Sequence, residues 1–138
     1  MRVVVVDDSG IFREGLVALL SAAGVEVVNA LASTERLGGT ILLDRPDAVI
    51  LDVRLPPTFT DEGVQAAMDI RRSSPEIGIL LLSTYAEQSW VRRLTDRIPS
   101  GVGYLLKDRV ADIDRLVEAL EIVCDGGIAI DPEIVSEV

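Results

Sequence analysis

Five side chains of this sequence could do chemistry together: the adjacent carboxylates Asp7 and Asp8, the carboxylate of Asp52, the hydroxyl of Ser83 and the ammonium of Lys107. Three carboxylates brought into one cleft repel each other. A hard divalent cation with oxygen ligands, most naturally Mg²⁺ with some retained waters, relieves that repulsion. A cation, an ammonium group and a hydroxyl around one carboxylate make a site that can neutralise and orient a phosphoryl group being transferred to that carboxylate. Asp52 is the expected nucleophile. The chain contains no histidine, so it has no imidazole base or ligand, and any phosphohistidine must belong to a partner. Lys107 is the single lysine among thirteen basic residues, which fits a position needing a compact point charge.

Taken singly, each residue has a plainer reading. Asp7 and Asp8 could cap the next helix, Asp52 could be a turn residue, Ser83 could decorate the core edge, and Lys107 could be a solvated loop cation. The case rests on their coincidence, and therefore on the elements that carry them. Short β-branched and leucine-rich runs alternate with stretches of helical periodicity, the pattern of βαβ units around a parallel sheet. Strands are expected at Val3–Asp7, Val25–Ala30, Ala48–Asp52, Ile77–Ser83 and Val102–Leu106, each dense enough in Val, Ile and Leu to be buried on both faces. The first strand ends in Asp7-Asp8, the third in Asp52 and the fourth in Ser83, and the fifth leads into Lys107. All five residues thus fall at the carboxyl edge of one sheet, where such folds bind ligands.

Helical periodicity gives the first helix an inner stripe of Phe12, Leu16, Leu19, Leu20 and Ala23, and the last a stripe of Ile113, Leu116, Val117, Leu120 and Cys124. The fourth helix carries Val91, Leu94 and Ile98 inward behind a Thr84/Glu87 capping box. A second helix around Ser33 to Asp44 is expected to be short or irregular because Gly38-Gly39 interrupts it. Asp125-Gly126-Gly127 reads as a stop, and Asp131-Pro132-Glu133 as an N-cap with proline in the first turn. The expected architecture is α/β: a three-layer α/β/α sandwich around a five-stranded parallel sheet.

The net charge of −10 excludes this segment as a direct binder of nucleic acid or an anionic membrane, so its own partners should be cations or proteins. A lone Cys124 allows no internal disulfide, no Cys/His cluster suits zinc, and no apolar run is long enough for a signal core or a membrane span. A cytoplasmic location is the expectation.

With Asp7-Asp8, Asp52, Ser83, Tyr104 and Lys107 in that order on those elements, the chain resembles the response-regulator receiver family of two-component systems over nearly its whole length. That resemblance implies a flavodoxin-like fold with strand order 2-1-3-4-5 and an aspartyl-phosphate at Asp52. It implies Mg²⁺ bound by Asp8 and Asp52, with Asp7 acting directly or through water and the main-chain carbonyl of Arg54 completing the set. Ser83 and Lys107 would engage the phosphoryl oxygens, while Tyr104 shifts its ring inward as the far face rearranges. Tyr104 also has the plainer reading of an aromatic on a strand.

The segments Gly103-Tyr104-Leu105-Leu106-Lys107-Asp108 and Gly126-Gly127-Ile128-Ala129-Ile130-Asp131-Pro132, with the loop Asp52-Val53-Arg54-Leu55-Pro56-Pro57, look like the LuxR/NarL-type regulators, whose receivers precede a helix-turn-helix DNA-binding domain. The resemblance makes residues 1–127 the receiver and 128–138 the start of a linker, with the effector absent from this chain. The implied partners are a sensor histidine kinase, a second copy of the protein on phosphorylation, and DNA only through the missing effector. Lys107 precedes Asp108 where many receivers have proline, so a cis peptide is not expected there. Arg54 and Tyr85 occupy positions that, in the family, influence loss of the phosphoryl group; both are bulky here, and slow self-dephosphorylation is expected.

The chain is thus read as a phosphoacceptor switch that assists its own phosphorylation and dephosphorylation, and not as an enzyme. A haloacid-dehalogenase-type phosphatase would need an aspartate two residues after the nucleophile, where Arg54 stands. A nucleotide-binding domain would need a glycine-rich loop opening the first helix, and Asp8-Ser9-Gly10 is not one. The remaining alternative is a receiver-like interaction module that works without phosphorylation. Trp90, with Arg92 and Arg93, marks either a partner surface or a partly covered helix position.

Overall fold

The computed structural model describes residues 1–85 and 88–133, with the side chains of residues 88–90 outside that description. Its elements in chain order are β1 (Arg2–Val6), α1 (Gly10–Ala22), β2 (Glu26–Leu31), α2 (Leu37–Asp44), β3 (Ala48–Asp52), α3 (Glu62–Ser73), β4 (Gly78–Ser83), α4 (Gln88–Arg97), β5 (Val102–Leu106), α5 (Ile113–Cys124) and β6 (Ile128–Ile130). A 3₁₀ turn over Lys107–Ala111 joins β5 to α5. All strand pairs are parallel, in the order β2-β1-β3-β4-β5-β6.

The valine run of β1 shows how one strand feeds two layers. Val3 and Val5 face the side covered by α1 and α5, whereas Val4 and Val6 face the side covered by α2, α3 and α4. The same alternation sends Ile50, Leu80 and Leu82 to the first side and Val49, Leu51, Ile79 and Leu81 to the second. Residues of β1 after Arg2, and all of β3, β4 and β5, are buried, which is why their sequences are near-continuous apolar runs.

The structure departs from the sequence reading in four places. The sheet has six strands instead of five: Ile128–Ile130, read from the sequence as the opening of a linker, lies along β5, extending the expected order by one strand. β2 runs Glu26–Leu31, not Val25–Ala30, and is half-buried to exposed instead of covered on both faces, because it is an edge strand paired only with β1. In α1, Leu16 and Leu20 are buried and Phe12 is half-buried, but Leu19 and Ala23 are exposed. That helix packs mainly against β1, β2 and α5, so a narrower strip is covered than the periodicity suggested. In α5 the deepest contacts include Ala119 and Val123 beside the expected Leu116 and Leu120.

The irregular second helix is indeed short, eight residues ending in Arg45 at φ 45°. Helix α4 buries Leu94, with Ile98 buried just after its end and Val91 half-buried, as its periodicity indicated. The capping role of Glu87 and the surroundings of Trp90 lie outside the described residues. One cis peptide bond occurs among the described residues, at Pro56–Pro57, and Lys107–Asp108 is not cis.

The edge of the sheet opposite Asp52 is tied by a single guanidinium. Arg71 at the end of α3 donates from Nη1 to the carbonyls of Pro75 and Ile77, and from Nη2 to those of Ser100 and Gly101 at 3.2 and 2.8 Å. It closes the chain leading into β4 against the chain leading into β5. Replacing Arg71 with methionine keeps the aliphatic stem but abandons the four carbonyls, and should lower unfolding stability by about 2 kcal/mol, given that hydrogen bonds to charged donors contribute about 1.5–3 kcal/mol each and water recovers part. Urea denaturation measures it, and an unchanged midpoint would show that water serves those carbonyls equally well.

Candidate functional site

The strand order reverses direction between β1 and β3, and a cleft opens at their carboxyl ends. Asp7 and Asp8 follow β1 and Asp52 closes β3. One carboxylate oxygen from each lies within 4.8 Å of the others, with Asp7 and Asp52 buried and Asp8 exposed. Lys107, the first residue past β5, reaches across β4 to place its Nζ 2.9 Å from Asp7 Oδ2 and 3.1 Å from Asp52 Oδ2. Ser83, at the end of β4, pairs in register with Leu106 beside that lysine and is 1% exposed. The structure therefore brings together the two carboxylate sources, the hydroxyl strand end and the lysine that the sequence placed on one edge.

Local bonds fix each group. The Ser9 amide donates to Asp7 Oδ1 at 2.9 Å, and Ser9 Oγ in turn caps α1 by accepting from the Phe12 amide. Asp7 thus serves the turn into α1 with one oxygen and offers the other to the cleft. Arg13 Nη1 donates to the Asp7 carbonyl at 2.6 Å, and the Phe12 ring lies beneath the Lys107 ammonium, 4.5 Å from centroid to Nζ. Arg54 donates its amide to Asp52 Oδ1 at 3.4 Å, and the Tyr85 amide donates to Ser83 Oγ at 3.2 Å. The guanidinium of Arg54 stands over the Tyr85 ring at 5.1 Å, so the loops after Asp52 and after Ser83 meet above the pocket. Tyr104 is not in the cleft. Its ring is buried in the core on the α3–α4 side, 1% exposed, already inward.

Backbone shape is equally constrained at Asp52. Gly63, in the first turn of α3, donates its amide to the Val53 carbonyl. A Cβ there would lie 2.0 Å from the carbonyl oxygen of Asp52, so only glycine lets α3 pack against the Asp52 peptide. Glu62 beside it accepts from the Thr58 amide and hydroxyl and from the Thr60 amide, which holds its carboxyl down at about 2 and orders the loop after Asp52. Arg13, Glu62 and Gly63 are supporting residues that sequence reasoning did not single out, and Phe12 was read only as part of the inner stripe of the first helix. Nothing in their spacing distinguishes them from ordinary helix-start residues.

The electrostatics suit a cation. Burial, the largest influence, pushes the Asp52 carboxyl above the ordinary aspartate value; Asp7 adds to the rise, and Lys107 and the Arg54 amide only partly offset it. Burial pulls Lys107 downward, yet its bond to Asp7 and its attraction to Asp52 outweigh that and leave it raised, firmly an ammonium. Three oxygen donors of this kind fit Mg²⁺, a hard ion that prefers carboxylates and water. Because Asp52 is harder to ionise in the folded chain than in the unfolded one, the metal-free protein should lose stability as pH rises from the ordinary aspartate range through the elevated value. Carbon-detected NMR titration should place the Asp52 midpoint above that range, and Asp7→Asn or added Mg²⁺ should each lower it; a midpoint at or below the ordinary value would contradict the balance described.

Comparison with known proteins gives a consistent result. The family model described as the response regulator receiver domain matches residues 3–121. The chain is 30% identical to the transcriptional regulatory protein DegU of Brevibacillus brevis, over 97% of this chain and 54% of the relative. A two-component response regulator of the LuxR family from an Aurantimonas species has a TM-score of 0.81 at 27% identity, covering 99% of this chain and 93% of that one. A signal receiver domain described as that of NarL from Mycobacterium tuberculosis has a TM-score of 0.72 at 32% identity, covering 87% and 95%. The chain spans about half the length of DegU and 60% of another curated relative, LnrK of Bacillus subtilis.

Proposed function

The chain belongs to the response-regulator receiver family, of the NarL/LuxR type, and from that premise we propose that Asp52 is its phosphoacceptor, loaded from a phosphohistidine of a partner sensor kinase. The observation that carries the proposal is the Lys107 ammonium shared between Asp7 and Asp52 in a cluster of three carboxylates. Such a cluster is poised for both a metal ion and a dianion.

Asp7, Asp8 and Asp52 are the proposed metal ligands, with the Arg54 carbonyl as a fourth. Mg²⁺ held there would supply charge neutralisation for the phosphoryl oxygens. The chain's own residues do the rest. An Asp52 oxygen forms the new P–O bond in line with the breaking P–N bond of the donor, whose imidazole leaves with the electron pair. Lys107, now bonded to carboxylate oxygens, transfers its donors to a phosphoryl oxygen. Ser83, whose Oγ accepts from Tyr85, still has its own proton to donate to another. Withdrawal of Ser83 and Lys107 toward the phosphoryl group, together with the inward position of Tyr104, is the proposed route to the far face.

Arg54 at the second position after Asp52 leaves no carboxylate to serve as acid or base there, in keeping with a switch that turns over on itself and not on external substrates. The net charge of −10 leaves DNA contact to another part of the protein. The proposed output is transcriptional, through an effector that follows residues 128–138, whose first three residues lie along β5, and through a dimer formed on phosphorylation. A cytoplasmic location accords with a cytoplasmic kinase domain as donor.

Incubation with a small acyl phosphate and Mg²⁺ should add one phosphoryl group by intact-mass measurement; Asp52→Asn and chelation of Mg²⁺ should each abolish it. Beryllofluoride should perturb the same backbone amides, and a parent chain that responds to neither reagent would favour the phosphorylation-independent module. The Arg54–Tyr85 stack over the pocket should shield the acyl phosphate from water, making its decay slow. The double variant Arg54→Ala, Tyr85→Ala should lose the phosphoryl group several-fold faster, and equal decay rates would remove the stack from the account.

A further inference from the structure

The carboxylate of Asp131 is 0% exposed although it lies just past the last strand, far along the chain from the acidic cleft. Both of its oxygens are saturated. Oδ2 accepts from the Leu106 amide at 3.2 Å and from Arg109 Nε at 2.9 Å; Oδ1 accepts from Arg109 Nη2 at 3.2 Å and from the Glu133 amide at 3.0 Å. Glu133 adds a second, exposed carboxylate 3.0 Å from Arg109. The sequence reading of Asp131 as an N-cap explains only the bond from Glu133.

The other bonds act on β5. Strand pairing between β5 and β6 ends at Tyr104 and Ile130, with the Asp131 amide donating to the Tyr104 carbonyl. Beyond that point the Leu106 amide has no backbone partner from β6, and the Asp131 side chain supplies one, carrying the ladder one step further. Leu106 is followed by Lys107, and Arg109 is two residues later in the same 3₁₀ turn. One carboxylate therefore grips the residue before Lys107 and the residue two after it, bracketing the lysine whose ammonium reaches Asp7 and Asp52.

We propose that Asp131 is a positioning residue for Lys107: with Arg109 it fixes the turn that aims the ammonium into the phosphorylation pocket, and so ties that pocket to the path of the chain leaving β6. It rests on the reading of Asp52 as phosphoacceptor. Lys107 rises from a turn containing Asp108, Arg109 and Val110, none of which is fully buried; Val110 packs against the core on the α1–α5 side, and the fully bonded Asp131 carboxylate is the turn's polar anchor. A lysine displaced by about 1 Å loses much of its contribution, since misplacements of that size cost up to about 100-fold in rate.

The test compares the parent with Asp131→Asn, Lys107→Ala and the double variant, all in the 138-residue chain. Each is read for the rate of phosphorylation by a small acyl phosphate and, separately, for Mg²⁺ affinity by titration. Asp131→Asn should phosphorylate about 10-fold more slowly with no loss of Mg²⁺ affinity, and the double variant should be no slower than Lys107→Ala alone, because Asp131 acts through the lysine. A parental rate for Asp131→Asn, slowing that adds fully to that of Lys107→Ala, or a parallel loss of Mg²⁺ affinity would overturn the role, the last two by marking Asp131 as a general structural residue. Should Asp131→Asn not fold, Arg109→Gln, which withdraws the side chain's partner from the partly exposed side, is judged by the same criteria. A parent that accepts no phosphoryl group would instead bring down the phosphoacceptor reading itself, and the positioning role with it.

Discussion

Everything at the functional end of this protein is arranged around a charge imbalance that the fold maintains. Three carboxylates and one ammonium occupy a cleft in which Asp7 and Asp52 are almost fully enclosed, leaving two negative charges unpaired. At an effective dielectric near 20, unit charges about 4 Å apart interact by about 4 kcal/mol. Burial, with a smaller contribution from Asp7, already holds the Asp52 carboxyl above the ordinary aspartate value. A divalent cation would remove the imbalance. A phosphoryl group brings nearly two further negative charges, so on the proposed phosphoacceptor it would offer Lys107 a stronger acceptor than the carboxylates it now bonds.

The rest of the domain can be understood as the scaffold that keeps this cleft from relaxing. Apolar strands buried on both faces fix the heights at which β1, β3, β4 and β5 end. The bonds of Asp7 to Ser9 and of Gly63 to Val53 then start α1 and α3 close against those ends. The Gly63 contact is the tightest of these, since no side chain could stand between α3 and the Asp52 peptide. Lys107 needs the opposite treatment, because its long stem must be aimed. The Phe12 ring beneath it presents an uncharged face to the ammonium.

Much of this was legible in the sequence, for physical reasons. Doubly buried strands have a near-continuous apolar signature, so β3, β4 and β5 were found within a residue, and the groups at their ends followed. An edge strand has no such signature: Glu26–Leu31 carries Val27, Val28 and Leu31 but also Glu26 and Asn29, and its place at the sheet edge, paired only with β1, leaves it half open to water. The sixth strand was missed because three residues, Ile128–Ile130, are too few for any periodicity and follow a glycine pair that reads as a break. The supporting shell was invisible for a different reason. Phe12 acts across elements, under a lysine far along the chain, while Arg13 and Glu62 bond to loop residues nearby in the chain; a sequence records residue types, not which of them the fold will bring into such contacts.

The position of β5 accounts for how a pocket this small could influence a distant surface. Tyr104, Leu106 and Lys107 lie within four residues, with Tyr104 buried toward α4, Leu106 bonded through its amide to Asp131, and Lys107 in the cleft. β5 is laddered to β4 along its whole length and to β6 only as far as Tyr104, with the Asp131 side chain holding the Leu106 amide beyond that point, so a displacement at the lysine end meets a backbone held from both sides. It must be taken up by the elements that are less tightly held. These are the 3₁₀ turn and the packing of α4 against the Tyr104 side of the sheet. The β5–β6 pairing is therefore more than an ornament to a five-stranded fold: it brings Asp131 into direct hydrogen-bonded contact with the strand that leads into Lys107.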